Sequence, residues 1–346
     1  MTKEKMTSMQ RVIAALEHRE PDRVPMLLPL TMHGSRELGL SIRDYFSRAE
    51  YVIEGQIRLQ EKYGHDAYTG FFYGPAEIEA FGGEVIFVDD GPPNSGEPLI
   101  KSLDTLDRIT VPEISKVPVL QNILKTIRTL NEKADGDIPV LGVVISPFSL
   151  PVMQLGFESY LELIYNKREL FWRLMQVNET FAVQWGNAQL AAGATALAYF
   201  DPLASPTVIP RNIYLETGWL IAKRTIAKLN GPTATHLASG RVLPVIDDLV
   251  KTGTGAVGAG SSEALVELKQ ACQGKLAIIG NLNGLEMHRW SKEELFHRVK
   301  EAIDGAAPGG GFILSDSHGE IPWQVTDEQL RAISEAVREY GTYPIS

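Results

Sequence analysis

The strongest constraint on the fold is a regular alternation of short apolar segments with longer segments of helical periodicity. Such an alternation is typical of βαβ units, whose strands pair in parallel. Eight segments of strand type follow one another, and no G-x-G-x-x-G motif follows the first. Eight parallel strands with intervening helices predict a closed (β/α)8 barrel, the TIM-barrel architecture. The predicted strands cover residues 24–30, 66–72, 138–145, 194–200, 232–237, 255–260, 275–281 and 310–315.

Two segments depart from this repeating pattern. Residues 1–25 have the periodicity of an amphipathic helix and lack the apolar stretch of a signal peptide, so we expect an N-terminal helical extension. Residues 73–116 form a long excursion after the second strand, for which we expect an extra hairpin over the barrel mouth. A length of 346 residues is within the range of one α/β barrel, so a single domain over residues 1–346 is predicted.

The charge balance disfavours two classes of partner. The formal net charge is −10 and the basic residues are scattered, so neither nucleic acid nor a membrane surface is expected to bind. No segment has the roughly 18 apolar residues of a membrane span. The single cysteine, Cys272, cannot form an internal disulfide, and its place at a helix end favours a structural thiol. We therefore expect a cytoplasmic protein, and a homodimer is compatible with the sequence.

Polar residues at the strand ends are the candidates for chemistry, because active sites of such barrels lie at the carboxyl ends of the strands. His236, in THLASG, and His318, in SDSHGE, follow apolar strands and are expected to project into the mouth as catalytic residues. Asp201, in YFDPLASP, is the third catalytic candidate, although a turn or helix cap explains it equally well. His33 and Asn281 are candidates for substrate binding.

Aromatic side chains near the strand ends are further candidates for substrate binding. They would form an apolar wall for an aromatic ring, but core packing explains such residues at least as often. The four aromatic candidates are Phe71, Tyr73, Phe148 and Tyr199.

The sequence resembles the uroporphyrinogen decarboxylase-like superfamily along its whole length, including the corrinoid-dependent methyltransferase branch of that superfamily. The resemblance is carried by ALEHREPDRVP, YGHDA, AFGGEVIFVDDGPP, SPFSL, AGAT followed by DPLASP, IIGNLNG, and APGGGFILSDSHGEIP. It implies an enzyme with the same barrel and with its site at the carboxyl ends of the strands.

This resemblance implies a specific residue set in a true decarboxylase: arginines after the first strand, an aspartate after the second, a tyrosine after the third and a histidine after the eighth. Here VPMLLPLTMHGS lacks the arginine pair, Tyr73 stands at the aspartate position and Met153 at the tyrosine position. Only His318 is retained. In a decarboxylase, the arginines would bind the substrate carboxylates and the aspartate would stabilise a protonated pyrrole. Because this chain lacks them, decarboxylation of uroporphyrinogen is only the alternative function.

In the methyltransferase branch, zinc is typically held by a histidine, a cysteine two residues later and a second cysteine after the eighth strand. This chain has His236, but Ala238 replaces the first cysteine and the Ser317-His318 region replaces the second. Either metal binding is lost, or His236 and His318 bind zinc together with a carboxylate. We expect zinc, with the third ligand drawn from Glu77, Glu79, Asp201 and Glu263.

Nitrogen and oxygen ligands leave zinc more electrophilic than thiolates do, which suits polarisation of an ether oxygen. The predicted function is therefore methyl transfer from a small methylated donor, such as a methoxylated aromatic compound, to a Co(I) corrinoid. Zinc or His318 would assist departure of the demethylated group. No D-x-H-x-x-G motif is present, so a separate corrinoid protein is the expected partner. A non-catalytic ligand-binding barrel is the second alternative.

Overall fold

The computed structural model describes residues 6–345 and contains two sheets within that range. The strands are β1 (Tyr68–Thr69), β2 (Val85–Ile86), β3 (Asn94–Ser95), β4 (Val140–Ile145), β5 (Ala196–Phe200), β6 (Thr233–His236), β7 (Ala256–Gly258), β8 (Ala277–Leu282) and β9 (Phe312–Asp316). Seven of them form a curled parallel sheet in the order β1-β4-β5-β6-β7-β8-β9. The prediction of an α/β barrel of the TIM type is confirmed.

Helices follow nearly every strand and cover the outside of the sheet. None of the described helices is long and apolar enough to span a membrane. The α-helices are α1 (Ser8–Leu16), α2 (Gly34–Leu38), α3 (Ile42–Phe46), α4 (Ala49–Tyr63), α5 (Ala76–Ala80), α6 (Pro118–Ala134), α7 (Pro151–Leu155), α8 (Phe157–Asn166), α9 (Arg168–Ala191), α10 (Arg211–Glu216), α11 (Gly218–Ile226), α12 (Ile246–Val250), α13 (Leu265–Cys272), α14 (Gly284–Met287), α15 (Lys292–Ala306) and α16 (Asp327–Tyr340). Three 3₁₀ helices are Leu103–Arg108, Ile114–Lys116 and Leu243–Val245.

The first predicted strand, residues 24–30, is wrong as a regular strand, since one isolated bridge, Met26 to Leu314, occurs there. Pro25 and Pro29 lie within it, and proline has no N–H to donate to a sheet ladder. The other seven predicted strands each overlap an observed strand of the parallel sheet.

The irregular first segment nevertheless joins the two ends of the curled sheet. On one side, the Leu27 N–H donates to the Leu314 carbonyl (2.8 Å) and the Leu314 N–H donates to the Pro25 carbonyl (2.9 Å). On the other side, the Asp66 N–H donates to the Met26 carbonyl (2.7 Å) just before β1. The barrel is thus closed by a short extended segment with few ladder hydrogen bonds.

The expected hairpin is present in the excursion after β1. Strands β2 and β3 pair antiparallel, and Phe87 between them packs edge-on against Tyr73 with ring centroids 5.4 Å apart. The Gln324 side-chain amide donates to the Asp90 carbonyl (2.9 Å), which ties the hairpin to the loop after β9. The hairpin therefore lies at the carboxyl face, next to the loop that carries His318.

Side chains of β5 and β6 alternate between the helical layer and the barrel interior. Tyr199 is buried against Ala222 and Ile226 on α11, so the neighbouring residues of β5 point inward. The inward positions of β5 and β6 are only partly buried, and most are alanine. These small inward residues stay partly exposed, so the barrel interior below Phe200 and His236 is not fully packed by their side chains.

A buried carboxylate fixes the N-terminal helix to the opposite, amino-terminal end of the barrel. Asp66 is fully buried and accepts hydrogen bonds from Arg11 (2.6 Å), Arg23 (2.7 Å), the Met26 N–H (2.9 Å) and the Ser8 hydroxyl (3.0 Å). Because these donors come from α1 and from the closing segment, this one side chain holds both against β1.

We predict that Asp66→Ala lowers the free energy of unfolding by about 3–5 kcal/mol, because it leaves the buried Arg11 guanidinium without one of its carboxylates. Urea denaturation followed by circular dichroism measures the change. Asp247→Ala is the control, since Asp247 forms an exposed pair with Lys275. Equal midpoints for the two variants would refute the role of Asp66.

Candidate active site

His236 ends β6 and is positioned by its neighbours on both sides. Opposite it on β7 stands Gly258, where any Cβ would overlap the imidazole ring, so the absence of a side chain lets the ring lie against β7. The Ala238 N–H donates to His236 Nδ1 (3.0 Å). Because Nδ1 accepts a hydrogen bond, the neutral ring carries its proton on Nε2.

His318 lies on the loop after β9 and faces the loop after β6. Its Nδ1 lies 3.0 Å from the Ser239 hydroxyl oxygen. The Asp316 carboxylate accepts hydrogen bonds from the backbone N–H groups of His318 (2.8 Å) and Gly319 (3.1 Å). Asp316 thus fixes the turn that places the imidazole.

The two histidines are close neighbours at the barrel mouth. A Cβ on Gly319 would lie 3.6 Å from His236 Cε1 and 3.2 Å from Phe200 Cε2, so the loop after β9 reaches over β5 and β6. The rings of Phe200 and His236 have centroids 5.7 Å apart. Burial, with a smaller effect of His318, lowers the pKa of His236 to about 4. Burial also lowers the pKa of His318, so both imidazoles are neutral at pH 7.

Two carboxyl groups lie close to His318: Asp316 ends β9 and Glu320 lies on the loop that follows. Burial raises the pKa of Asp316 to about 6. Burial, together with the nearby Asp316, raises the pKa of Glu320 to about 7, while a hydrogen bond from the Thr31 hydroxyl acts against this rise. The mouth therefore holds groups that are partly protonated near neutral pH.

His33 is buried beneath this loop rather than open to the mouth. Its ring packs against Trp323 with centroids 5.7 Å apart. The Arg36 guanidinium also contacts Trp323, at 3.8 Å from the centroid of its ring. Burial and the charge of Arg36 lower the pKa of His33 to about 3. His33 thus helps to pin the loop that carries His318.

Asp201 joins the loops after β4 and β5. Its carboxylate accepts hydrogen bonds from the hydroxyls of Ser146 and Ser149, the latter at 2.6 Å, and its N–H donates to the His236 carbonyl (2.8 Å). Burial raises the pKa of Asp201 to about 6, against the effect of the two serines. These contacts give Asp201 a place in the turn beside the site.

Two of the predicted substrate-binding aromatics point into the helical layer. Phe148 packs edge-on against Tyr160 (5.8 Å) and Phe171 (6.2 Å), which belong to α8 and α9. Tyr199 packs against α11, as described above. The structure does not bring these two rings to the histidines.

The remaining predicted substrate-binding residues lie around the rim. Phe71 is half-buried after β1, and Tyr73 packs edge-on against Phe46 with centroids 5.3 Å apart. The Asn281 side-chain amide donates to the carbonyls of Gly260 (3.0 Å) and Glu263 (3.1 Å), which joins β8 to the loop after β7.

The candidate third metal ligands other than Asp201 also have partners elsewhere. Glu77 is buried and accepts from the Ile145 N–H (2.9 Å), and burial raises its pKa to about 8. Glu79 accepts a hydrogen bond from the Tyr73 hydroxyl (2.8 Å). Glu263 caps the loop after β6 by accepting from two backbone N–H groups (2.9 and 2.8 Å).

The residues present do not fit the expected zinc. In residues 6–345, no group of three or more His, Cys, Asp and Glu side chains is placed to hold a metal ion. Nδ1 of His236 already accepts an N–H, Nδ1 of His318 contacts a hydroxyl, and Ala238 supplies no ligand. No step of the reaction below therefore depends on a metal.

Sequence reasoning overlooked Phe200, Ser239, Glu320 and Trp323. Phe200 is detectable in principle, because strict alternation along β5 places it on the face opposite Tyr199. Glu320 and Trp323 lie in the same loop as His318, whose length alone suggests that it covers the mouth. No local sequence pattern marks Ser239 as a site residue, because its partner His318 is distant in the chain.

Comparison with known proteins identifies the class to which this barrel and its rim belong. The family model "Uroporphyrinogen decarboxylase (URO-D)" matches residues 7–340. The chain therefore belongs to the uroporphyrinogen decarboxylase family, and the resemblance seen in the sequence is confirmed.

Individual relatives are of two enzymatic kinds. The chain is 24% identical over 344 residues to the methylcobamide:CoM methyltransferase MtaA of Methanosarcina barkeri, covering 95% of this chain and 97% of that protein. It is 26% identical over 363 residues to the uroporphyrinogen decarboxylase of Xanthomonas axonopodis pv. citri (strain 306), covering 96% and 99%. A solved methyltransferase from Methanosarcina mazei has the same fold, with a TM-score of 0.87, 19% identity and coverage of 97% and 99%.

We predict that Asp201→Asn gains stability relative to the native chain as the pH rises from 4 to 7. The pKa of Asp201 rises from 3.8 to about 6 on folding, so its contribution to stability is full below pH 4 and is lost as the pH passes 6. Asparagine does not ionise and avoids this loss, which amounts to about 3 kcal/mol at most.

Urea denaturation at several pH values measures this difference. Asp247→Asn is the control, because its pairing with Lys275 lowers the pKa of Asp247, so this variant gains no stability with rising pH. A stability difference for Asp201→Asn that does not change with pH would contradict the burial of an ionisable carboxyl there.

Proposed function

We propose that this chain transfers a methyl group from a small methylated donor to a Co(I) corrinoid carried by a separate protein. The observation that carries the proposal is the pair of neutral imidazoles, His236 and His318, beside open space lined by small apolar residues. The similarity over nearly the whole chain to MtaA, a methylcobamide:CoM methyltransferase, supports methyl transfer in which a corrinoid is one of the two partners.

The open interior fits the apolar part of a donor molecule. Phe200 forms one wall, and Ala198 and Ala234 lie one layer below in neighbouring register positions of β5 and β6. Burial of apolar surface stabilises a bound ring by about 25 cal/mol per Å². The first segment and the residues that follow it, VPMLLPLTMHGS, contain no pair of arginines that could bind a substrate with many carboxylates. A neutral donor such as a methoxylated aromatic compound is therefore favoured.

When bound, the corrinoid supplies the nucleophile that accepts the methyl group. The part of this chain is to stabilise the oxygen that keeps the electron pair of the broken methyl–oxygen bond. His236 presents its Nε2–H to that oxygen, because its Nδ1 accepts a hydrogen bond from the Ala238 N–H and so carries no proton. Where the Ser239 hydroxyl donates to Nδ1 of His318, the second ring also presents Nε2–H. Donors placed in advance around a developing negative charge lower the barrier most when water is excluded.

Decarboxylation of uroporphyrinogen is the second candidate, because a decarboxylase relative has a similar identity to that of the methyltransferase. The residues at the expected catalytic positions argue against it. Tyr73, at the aspartate position, donates its hydroxyl to Glu79 and packs within an aromatic cluster. It provides no negative charge for a cationic pyrrole.

We predict that the protein forms methylcobalamin from free Co(I) cobalamin and a methoxylated aromatic donor, which the absorption spectrum of the corrinoid reports. His236→Ala is expected to slow this reaction by about 10²–10³-fold, the usual effect of losing one donor to a developing oxyanion. His297→Ala is the control, because His297 lies on the surface of α15 beside Glu301.

Two results would overturn the proposed function. Failure with a full panel of methoxylated, methylthiol and methylamine donors would favour a non-catalytic ligand-binding barrel. Turnover of uroporphyrinogen would establish the decarboxylase instead.

We predict that the purified protein contains zinc well below one equivalent and that a chelator leaves its methyl-transfer rate unchanged, because the potential ligands are engaged with other partners. Elemental mass spectrometry measures the metal content. Near-stoichiometric zinc that is lost in His236→Ala and kept in His297→Ala would contradict this prediction.

A further inference from the structure

A second cavity lies at the amino-terminal end of the barrel strands, on the face opposite the histidines. Its volume is about 260 Å³. It is bounded by the end of α13, by the segment after α1, and by the residues that lead into β8 and β9. None of the residues discussed for methyl transfer lines this cavity, so it requires an explanation of its own.

Two basic side chains face this cavity. Lys269, on α13, is half-buried and donates to the Gly310 carbonyl, but within the described residues it forms no ion pair with a carboxylate. His18 lies close enough that burial and the charge of Lys269 both lower its pKa. Glu20 accepts a hydrogen bond from the Gly309 N–H (3.0 Å) at the edge of the cavity, and its charge acts on Lys269 without a direct ion pair. Within the described residues, no carboxylate is therefore in direct contact with the Lys269 ammonium.

The backbone conformation keeps His18 in the cavity wall. Residues 309–311 are three glycines with φ values of 77°, 76° and 73°, the left-handed region that favours glycine. A Cβ on Gly311 would lie 2.6 Å from His18 Nδ1. The glycine run thus leaves room for the imidazole beside the start of β9.

The remaining wall of the cavity is apolar. Leu276 and Ile278 are buried, and Pro308 lies on the same side. Burial raises the pKa of Cys272 to about 11, so the thiol stays protonated and contributes an uncharged surface. A basic end and an apolar wall match a ligand with one negative group on a hydrophobic body.

We propose that this cavity binds a small carboxylate with an apolar body, a short-chain fatty acid or a benzoate, through an ion pair with Lys269. The carboxylate pairs with the Lys269 ammonium beside the imidazole of His18, and the apolar body packs against Leu276 and Ile278. Strands β8 and β9 run from this cavity to the carboxyl face, where Asn281 and Asp316 lie. The ligand therefore braces the two strands whose far ends build the rim of the active site.

Isothermal titration calorimetry with benzoate and butyrate tests the proposal on the intact protein. Benzamide is the control ligand, since it has the shape of benzoate without its charge. Lys269→Met keeps the length of the side chain and is expected to weaken benzoate binding at least 10-fold. The matched variant, Lys125→Met, removes an exposed lysine on α6 that pairs with Glu50 and does not line the cavity, and it leaves binding unchanged.

His18→Gln is a second variant on a different element, and it is expected to weaken binding by a smaller factor. The thermal midpoint of each variant shows whether the fold is retained. Absence of binding by both carboxylates, equal binding of benzamide, or benzoate binding that survives both Lys269→Met and His18→Gln would overturn the proposal. These outcomes do not depend on methyl transfer.

Discussion

Successive side chains along a β-strand point to opposite faces of the sheet, and the rest of this barrel depends on that alternation. On β5 it sends Tyr199 outward to α11 and leaves Phe200 to line the interior. On β6 the same alternation brings His236 inward, above alanines that do not fill the space below it. A shift of one residue in either strand would exchange a packed helical interface for an open one, so the location of the site follows directly from strand register.

The loop after β9 completes the site, and it is anchored by polar contacts together with the buried side chains of Ile321 and Val325. Asp316 fixes the turn at His318, and Trp323 contacts both His33 and Arg36. These contacts connect the loop to two different parts of the rim. The position of His318 relative to His236 therefore depends on the whole loop. This explains why residues with a structural role, such as His33, contact the loop.

The sequence sufficed for the barrel, the family and the location of His236 and His318 at strand ends, because strand order and strand ends are visible as local patterns. It did not reveal that Tyr199 points away from the mouth, since a run such as ALAYF is apolar on both faces. It also did not reveal that Glu77 bonds to the Ile145 N–H, because such partners are distant in the chain. Nor did it reveal the partners of the candidate zinc ligands, such as the backbone N–H groups of Val242 and Leu243 that donate to Glu263.

The closure of the barrel also governs how the chain can fold. Leu27 pairs with Leu314, so the two edges of the sheet meet only after nearly the whole polypeptide has left the ribosome. Until then residues 24–30 can pair beside β1 but lack their partner β9, and contacts of this long sequence separation form slowly. Newly made chains thus expose an unpaired sheet edge during synthesis, the stage at which aggregation and chaperone binding compete with folding.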